Sequence, residues 1–296
     1  MSKKLVSLFL AVLMLITTAA LAEEAITVTD MFGRAITLEE PATRIIATEP
    51  ADCEILYALG CGDALVGRGL YCDYPAEVTA LPTVHSGADT NLEEILALDP
   101  QVVIMNDMAH TVEQVSLLEQ NGVKVITTNA DSIDEVYQAI RLIGQVMGKN
   151  DEAETLITDM QSTFDGIAAK AVKTDKTIYF EVMPLEWGLW SAGTGTFMQE
   201  LAEVCGMKNA FADLDGWQPI SQEQVIERDP DYIVLVTGMG DTAVDEVMNR
   251  PGWQDIKAIQ NGKVYNADSY TLTRPAPRLK DAAIDLYNFL YDIAEE

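Results

Sequence analysis

Asn91-Leu-Glu-Glu-Ile-Leu-Ala-Leu-Asp-Pro-Gln-Val-Val-Ile-Met105 returns, 130 positions later, as Ser221-Gln-Glu-Gln-Val-Ile-Glu-Arg-Asp-Pro-Asp-Tyr-Ile-Val-Leu235. Identities are few: Glu93 with Glu223, Asp99 with Asp229, Pro100 with Pro230. The shared order of parts says more. Each copy opens on a helix-capping residue, Asn91 or Ser221, whose side-chain oxygen accepts from first-turn N–H groups. A short helix follows, and Asp-Pro stops it, because proline disfavours helical geometry in the residue before it. An apolar run of strand length comes next. Two pseudo-equivalent lobes, each carrying this unit, are the reading.

Outward from the first copy, apolar runs at 44–47, 65–68, 102–105 and 124–127 alternate with helical patterns at 52–59, 92–97, 111–120 and 133–147. Outward from the second, runs at 177–182, 232–237 and 263–266 alternate with helical patterns at 197–204, 222–228 and 279–294. Such alternation with short connections builds mostly parallel sheets. Between the halves, residues 151–172 contain no proline and one glycine, Gly166, and repeat apolar residues at helical spacing. That is a helix of about six turns. The expected fold is α/β: two Rossmann-like lobes joined by a single long rigid helix, with a ligand cleft between the lobes. The division reads 23–150, an N-terminal lobe opening on a β-hairpin around Asp30–Arg34; 151–172, the connecting helix; and 173–296, the C-terminal lobe.

Residues 1–22 read as a signal peptide: Lys3 and Lys4, an apolar run to Ile16, and Ala20-Leu21-Ala22 as a small-x-small cleavage site. The run is short for a bilayer span, which needs ~20 residues. No cysteine lies near the cleavage site, so no lipobox is expected and the exported chain reads as periplasmic. Cleavage removes two lysines and no acid, taking the net charge from −28 to −30. That balance excludes a nucleic-acid partner, which needs cations to meet phosphates.

Enzyme signatures are absent: no G-x-G-x-x-G, no phosphate-loop motif, no G-x-S-x-G and no H-E-x-x-H. The chain has two histidines, His85 and His110, both in first-half loops and weak candidates for ligating a metal in a bound ligand. Its four cysteines form no C-x-x-C pair. Cys53 and Cys72 follow the first two strands and are the candidate disulfide pair, with Cys61 at the opposite end. A metal-cluster enzyme on this scaffold would need clustered Cys and His, and only isolated ones occur. Parallel sheets hold ligands at the carboxyl ends of their strands. Those loops carry Glu49-Pro-Ala-Asp52, Tyr71-Cys-Asp-Tyr74, Asn106 to His110, Trp187-Gly-Leu-Trp190 and Gly238-Met239-Gly240. With Trp217, three of the four tryptophans fall in second-half loops, which suits a broad, partly apolar ligand.

At this point the chain resembles the helical-backbone class of periplasmic substrate-binding proteins of ABC importers, the group handling cobalamin and ferric siderophores. The resemblance runs from Val28-Thr-Asp-Met-Phe-Gly-Arg34 through Glu54-Ile-Leu-Tyr-Ala-Leu-Gly60, Asn91-Leu-Glu93 and Gly216-Trp-Gln-Pro-Ile-Ser-Gln-Glu223 to Arg274-Pro-Ala-Pro-Arg278. It implies a solute-binding component, not an enzyme, that delivers its ligand to a permease and ATPase complex. It also implies that Glu93 and Glu223, one per lobe, dock onto permease arginines. The cobalamin binders are the nearer match, through Tyr71-x-Asp73-Tyr74-Pro75 and a tryptophan, Trp217, six residues before the second docking glutamate. Two positions depart: Gly87 stands where a first-lobe tryptophan is expected, and Tyr287 where a disulfide partner of Cys205 is expected. The strand-end loops and the resemblance together give the candidate ligand set Asp52, Tyr71, Tyr74, Trp187, Trp190, Trp217, Met239 and Arg274. The transported ligand is expected to be a cobalt corrinoid, with a ferric siderophore or haem as the alternative. No resident cofactor and a monomeric chain are expected.

Overall fold

The computed structural model describes residues 25–86, 90–106 and 112–293, so the stretch 1–22 read as a signal peptide, Gly87 and His110 lie outside the described residues. The chain opens on an antiparallel hairpin of β1 (Ile26–Thr29) and β2 (Ala35–Leu38). Asp30 makes its turn. One carboxylate oxygen accepts from the Phe32 and Arg34 amides at 3.1 and 2.9 Å, and the other from the Arg34 guanidinium at 2.7 Å. The latter oxygen also accepts from the Thr127 amide, which pins the hairpin to the first sheet.

That sheet contains β3 (Ile45–Ala47), β4 (Leu65–Gly69), β5 (Thr83–Val84), β6 (Val102–Asn106) and β7 (Lys124–Thr128), all parallel, in the order β5-β4-β3-β6-β7. The chain builds outward from β3 to β5, then returns to the other side for β6 and β7. The order therefore reverses between β3 and β6, where a doubly wound sheet leaves a crevice at its carboxyl end. The second half supplies β8 (Thr177–Glu181), β9 (Trp190–Ala192), β10 (Lys208–Asn209), β11 (Trp217–Pro219), β12 (Tyr232–Leu235) and β13 (Val264–Asn266). Four form a parallel sheet in the order β10-β8-β12-β13, reversing between β8 and β12; β9 and β11 pair antiparallel beside it. The two-lobed α/β architecture is thus the one its strand–helix alternation requires.

Between the sheets runs a 21-residue helix, Asn150–Lys170. At ~1.5 Å per residue it is about 31 Å long. It starts a residue before the stretch read from sequence and stops two earlier, because Ala171 turns extended at ψ 138°. Ala153, Ile157, Met160, Phe164 and Ile167 form one buried stripe at helical spacing. The stripe packs on helices Ile133–Val146 and Leu279–Leu290. Gly144 faces Ala153 so closely that a methyl there would stand 2.7 Å from the alanine Cβ; the glycine sets the distance between those two helices. One contiguous core joins Ile45 and Ile104 of the first sheet, Ile157 and Phe164 of the long helix, and Phe180 and Val234 of the second sheet. The last helix stops at Leu290 rather than 294. The Tyr291 hydroxyl then accepts from the Val172 amide at 2.7 Å and lies 3.1 Å from the Cys205 carbonyl, while its ring packs on Tyr287.

The repeated unit is also a structural repeat. Helices Leu92–Ala97 and Gln222–Arg228 both end on an aspartate with positive φ, Asp99 at 48° and Asp229 at 46°. Ser221 and Gln224 close a reciprocal capping box, whereas Asn91 accepts from the Glu93 and Glu94 amides and Glu94 turns to His85.

All four cysteines are buried thiols. The disulfide expected between Cys53 and Cys72 is not formed. Parallel β3 and β4 do bring the two residues to one sheet end, where each sulfur lies 3.8 Å from the Ala47 carbonyl. Hydrogen bonding with Cys72, then burial, pushes the Cys53 thiol well above its ordinary range, and burial pushes Cys205 up to about 12. Neither is a reactive thiolate. Among the described residues no helix is long and apolar enough to cross a membrane.

Candidate functional site

The carboxyl ends of both sheets face a cavity of about 680 Å³ between the lobes. That volume lies in the ~300–1,000 Å³ range of small-molecule sites. From the first lobe its wall takes Asp52 and Ile55 just after β3, Asn106 at the end of β6, and Thr128 to Asp131 after β7. From the second it takes Val182, Phe197, Trp217 and the run Thr273 to Pro275. The reversal of the first sheet and the end of β8 therefore open into one space.

Asp52 sits in the first turn of helix Pro50–Ala58, whose capping position, Glu49, makes no side-chain cap. Among the described residues its carboxylate accepts from the Thr128 hydroxyl alone, at 2.9 and 3.1 Å, and the residue is 2% exposed. Burial, with the Glu49 charge adding to it and the Thr128 bond opposing it, pushes the Asp52 carboxyl up to about 7.

Two seams flank the cavity, each made by side chains reaching from one lobe to the other. In the first, the Trp217 indole donates to Asp131 at 3.0 Å and its ring lies 5.4 Å from that of Phe197. The Phe197 amide donates to the Asp131 carbonyl, and the Ile133 amide to the Glu200 carboxylate at 2.6 Å. In the second, Arg274 donates to Asp73 at 2.7 Å and Glu54 at 3.2 Å, and Arg278 grips both oxygens of Glu54 at 2.6 and 2.8 Å. Arg278 also covers the Tyr74 ring at 3.7 Å and Arg274 the Tyr270 ring at 4.6 Å. Arg68 holds the loop behind this seam by donating to the carbonyls of Gly69, Leu70 and Cys72.

Of the ligand set read from sequence, Asp52, Trp217 and Arg274 line the cavity. Tyr71 and Tyr74 stand at its outer seam, exposed, with the Tyr71 carbonyl 3.4 Å from Arg274. Trp187, Trp190 and Met239 are not part of the wall. Trp187 is 68% exposed on a short turn, Trp190 pairs with Pro219 across the β9–β11 ribbon, and Met239 packs on the second-lobe cluster around Tyr179, Phe211 and Trp253. Thr128, Asp131 and Phe197 were not singled out, although 128–131 is a strand-end loop like the others. His85 lies outside the wall and pairs with Glu94 at 2.9 Å. Among the described residues no group of three His, Cys, Asp or Glu is arranged to hold a metal. Glu93 and Glu223 are both exposed on first helical turns. Each helix precedes its strand and its Asp-Pro stop lies at the strand's amino end, so both glutamates lie toward the cleft-side face.

Comparison with known proteins gives the same architecture. Residues 45–271 match the model of the periplasmic binding protein family. An uncharacterized ABC transporter substrate-binding lipoprotein of Bacillus subtilis, YvrC, is 32% identical over 274 residues, covering 90% of this chain and 85% of that one. The vitamin B12-binding protein of Vibrio parahaemolyticus is 28% identical over 259 residues, covering 86% and 92%. Among solved structures, the periplasmic heme-binding protein RhuT of Roseiflexus superposes with a TM-score of 0.76 at 27% identity, covering 86% of this chain and 100% of that one.

Proposed function

The chain belongs to the periplasmic binding protein family, a family of solute-binding proteins and not of enzymes, and from that premise we propose that it captures a corrinoid for an ABC importer. The observation that carries the reading is the cavity walled by both lobes, with Trp217 held by its N–H bond to Asp131 and a tilted ring contact with Phe197. A fixed indole beside an apolar wall suits a broad ring system. Similarity to a vitamin B12-binding protein supports a cobalt corrinoid, and similarity to a heme-binding protein keeps haem as the alternative. Tyr71 and Tyr74 extend the contact surface at the mouth. Glu93 and Glu223 then serve as the docking pair for a permease and ATPase complex. Export directed by the N-terminal segment, with cleavage after Ala22, is part of this reading; the relative YvrC is named a lipoprotein.

The test is titration with cobinamide, haem and a ferric hydroxamate, followed by visible absorption and calorimetry. Cobinamide is expected to bind at micromolar affinity or tighter, about −8 kcal/mol. Trp217→Ala is expected to cost roughly 1–3 kcal/mol of it. Binding of haem or the hydroxamate with none of cobinamide would replace the corrinoid assignment and leave the receptor role standing.

A further inference from the structure

We infer that the cleft selects its ligand by hydrogen-bond polarity and charge: Asp52 and the acceptors around it take a metal chelate whose rim carries primary amides or other N–H donors, and reject one whose rim carries carboxylates. The inference deepens the corrinoid reading and rests on the same cavity. Among the described residues four carboxylates are buried: Asp30, Asp52, Glu54 and Glu181. Three hold an arginine. Asp30 pairs with Arg34 at 2.7 Å, Glu54 with Arg278 at 2.6 Å, and Glu181 with Arg250 at 2.8 Å. Asp52 has a hydroxyl and no ion pair, and it alone of the four faces the cavity.

The rest of the wall points the same way. The Asn106 amide oxygen is buried in that wall without a hydrogen-bond partner among the described residues. Four of the donor-bearing side chains nearby are already engaged within the protein. Trp217 gives its N–H to Asp131, Thr128 its hydroxyl to Asp52, and Thr273 its hydroxyl to the Ser269 carbonyl. Arg274, the one cationic side chain of the wall among the described residues, directs its amino groups to Glu54, Asp73 and the Tyr71 carbonyl. A buried acceptor left unmatched costs free energy, and an anion brought beside a buried carboxyl costs more. Ligand N–H groups answer both costs; ligand carboxylates answer neither. With no ion pair to Asp52 among the described residues, burial raises its carboxyl to about 7.

The experiment compares matched pairs by calorimetry at pH 8. Cobinamide and cobyrinic acid share one ring and differ in amide against carboxylate rims. The parent protein is expected to prefer cobinamide by at least about a hundred-fold, the size of one or two unmatched buried polar groups. Asp52→Asn, which offers an N–H₂ in the same shape, is expected to narrow that preference by about ten-fold or more. Equal or tighter binding of cobyrinic acid by the parent, or an unchanged ratio in the variant, would overturn the inference. The parent ratio decides the matter even if the variant does not fold. If neither corrinoid is retained the corrinoid reading falls, and haem against its diamide decides the charge rule alone: tighter diamide binding supports it, equal or tighter haem binding refutes it. Retention of none of the four refutes both.

Discussion

Burying a carboxyl without a cation has a consequence for stability as well as for selectivity, and Asp52 is where to measure it. Its folded value is about 7 against an ordinary 3.8, so the native state holds the proton more tightly than the unfolded chain does. The sign follows: the stabilising contribution is fully present below about pH 4 and is lost as pH rises through about 7. About three pH units at ~1.4 kcal/mol each give a loss on the order of 4 kcal/mol. Urea midpoints of the parent and Asp52→Asn, taken at pH 5 and pH 8, isolate this group. The parent is expected to lose ground to the variant between the two; parallel behaviour would refute the assignment. Glu181 is equally buried, but Arg250 answers it at 2.8 and 2.9 Å, so Glu181→Gln would break a buried ion pair and leave Arg250 to Glu246 alone.

At the scale of elements, the repeated helix–stop–strand unit was the most legible part of the chain, because every part of it obeys a local rule. Asn91 and Ser221 cap, Asp99 and Asp229 turn left-handed before proline, and the strands that follow are buried. The same locality explains what could not be read. Whether a strand-end loop faces the cleft depends on how the lobes pack, so Trp187, Trp190 and Met239 looked the same as Trp217 from sequence. Thr128 and Asp131 carry no signature beyond polarity, and the Arg274–Glu54 pair spans 220 residues with no local pattern to announce it. The repeat also places Glu93 and Glu223 at equivalent exposed helix starts. Capping in each helix is served by neighbours, which leaves both carboxylates available to a partner's arginines. The double variant Glu93→Ala, Glu223→Ala is expected to keep its cobinamide affinity while uptake through the cognate permease collapses. Each lost contact is worth roughly 2–5 kcal/mol if it is desolvated in the complex. Unchanged uptake, or lost ligand binding in a folded variant, would show that these residues do something else.

For the whole molecule, the long helix and the two seams define how the lobes are held. Asn150–Lys170 shares one core with both sheets, so the lobes are not hinged on a loose linker. The seams at Asp131–Trp217 and Glu54–Arg274–Arg278 close the flanks of the cavity by contacts between lobes. A ligand in that space must touch both halves of the chain. Hydrogen–deuterium exchange of the intact protein with and without cobinamide tests this most directly. Protection is expected together at 49–55 and 128–131 of the first lobe and around 217 and 273–275 of the second, with the outer face near 173–175 unchanged. Protection confined to one lobe, or centred away from these segments, would contradict the account.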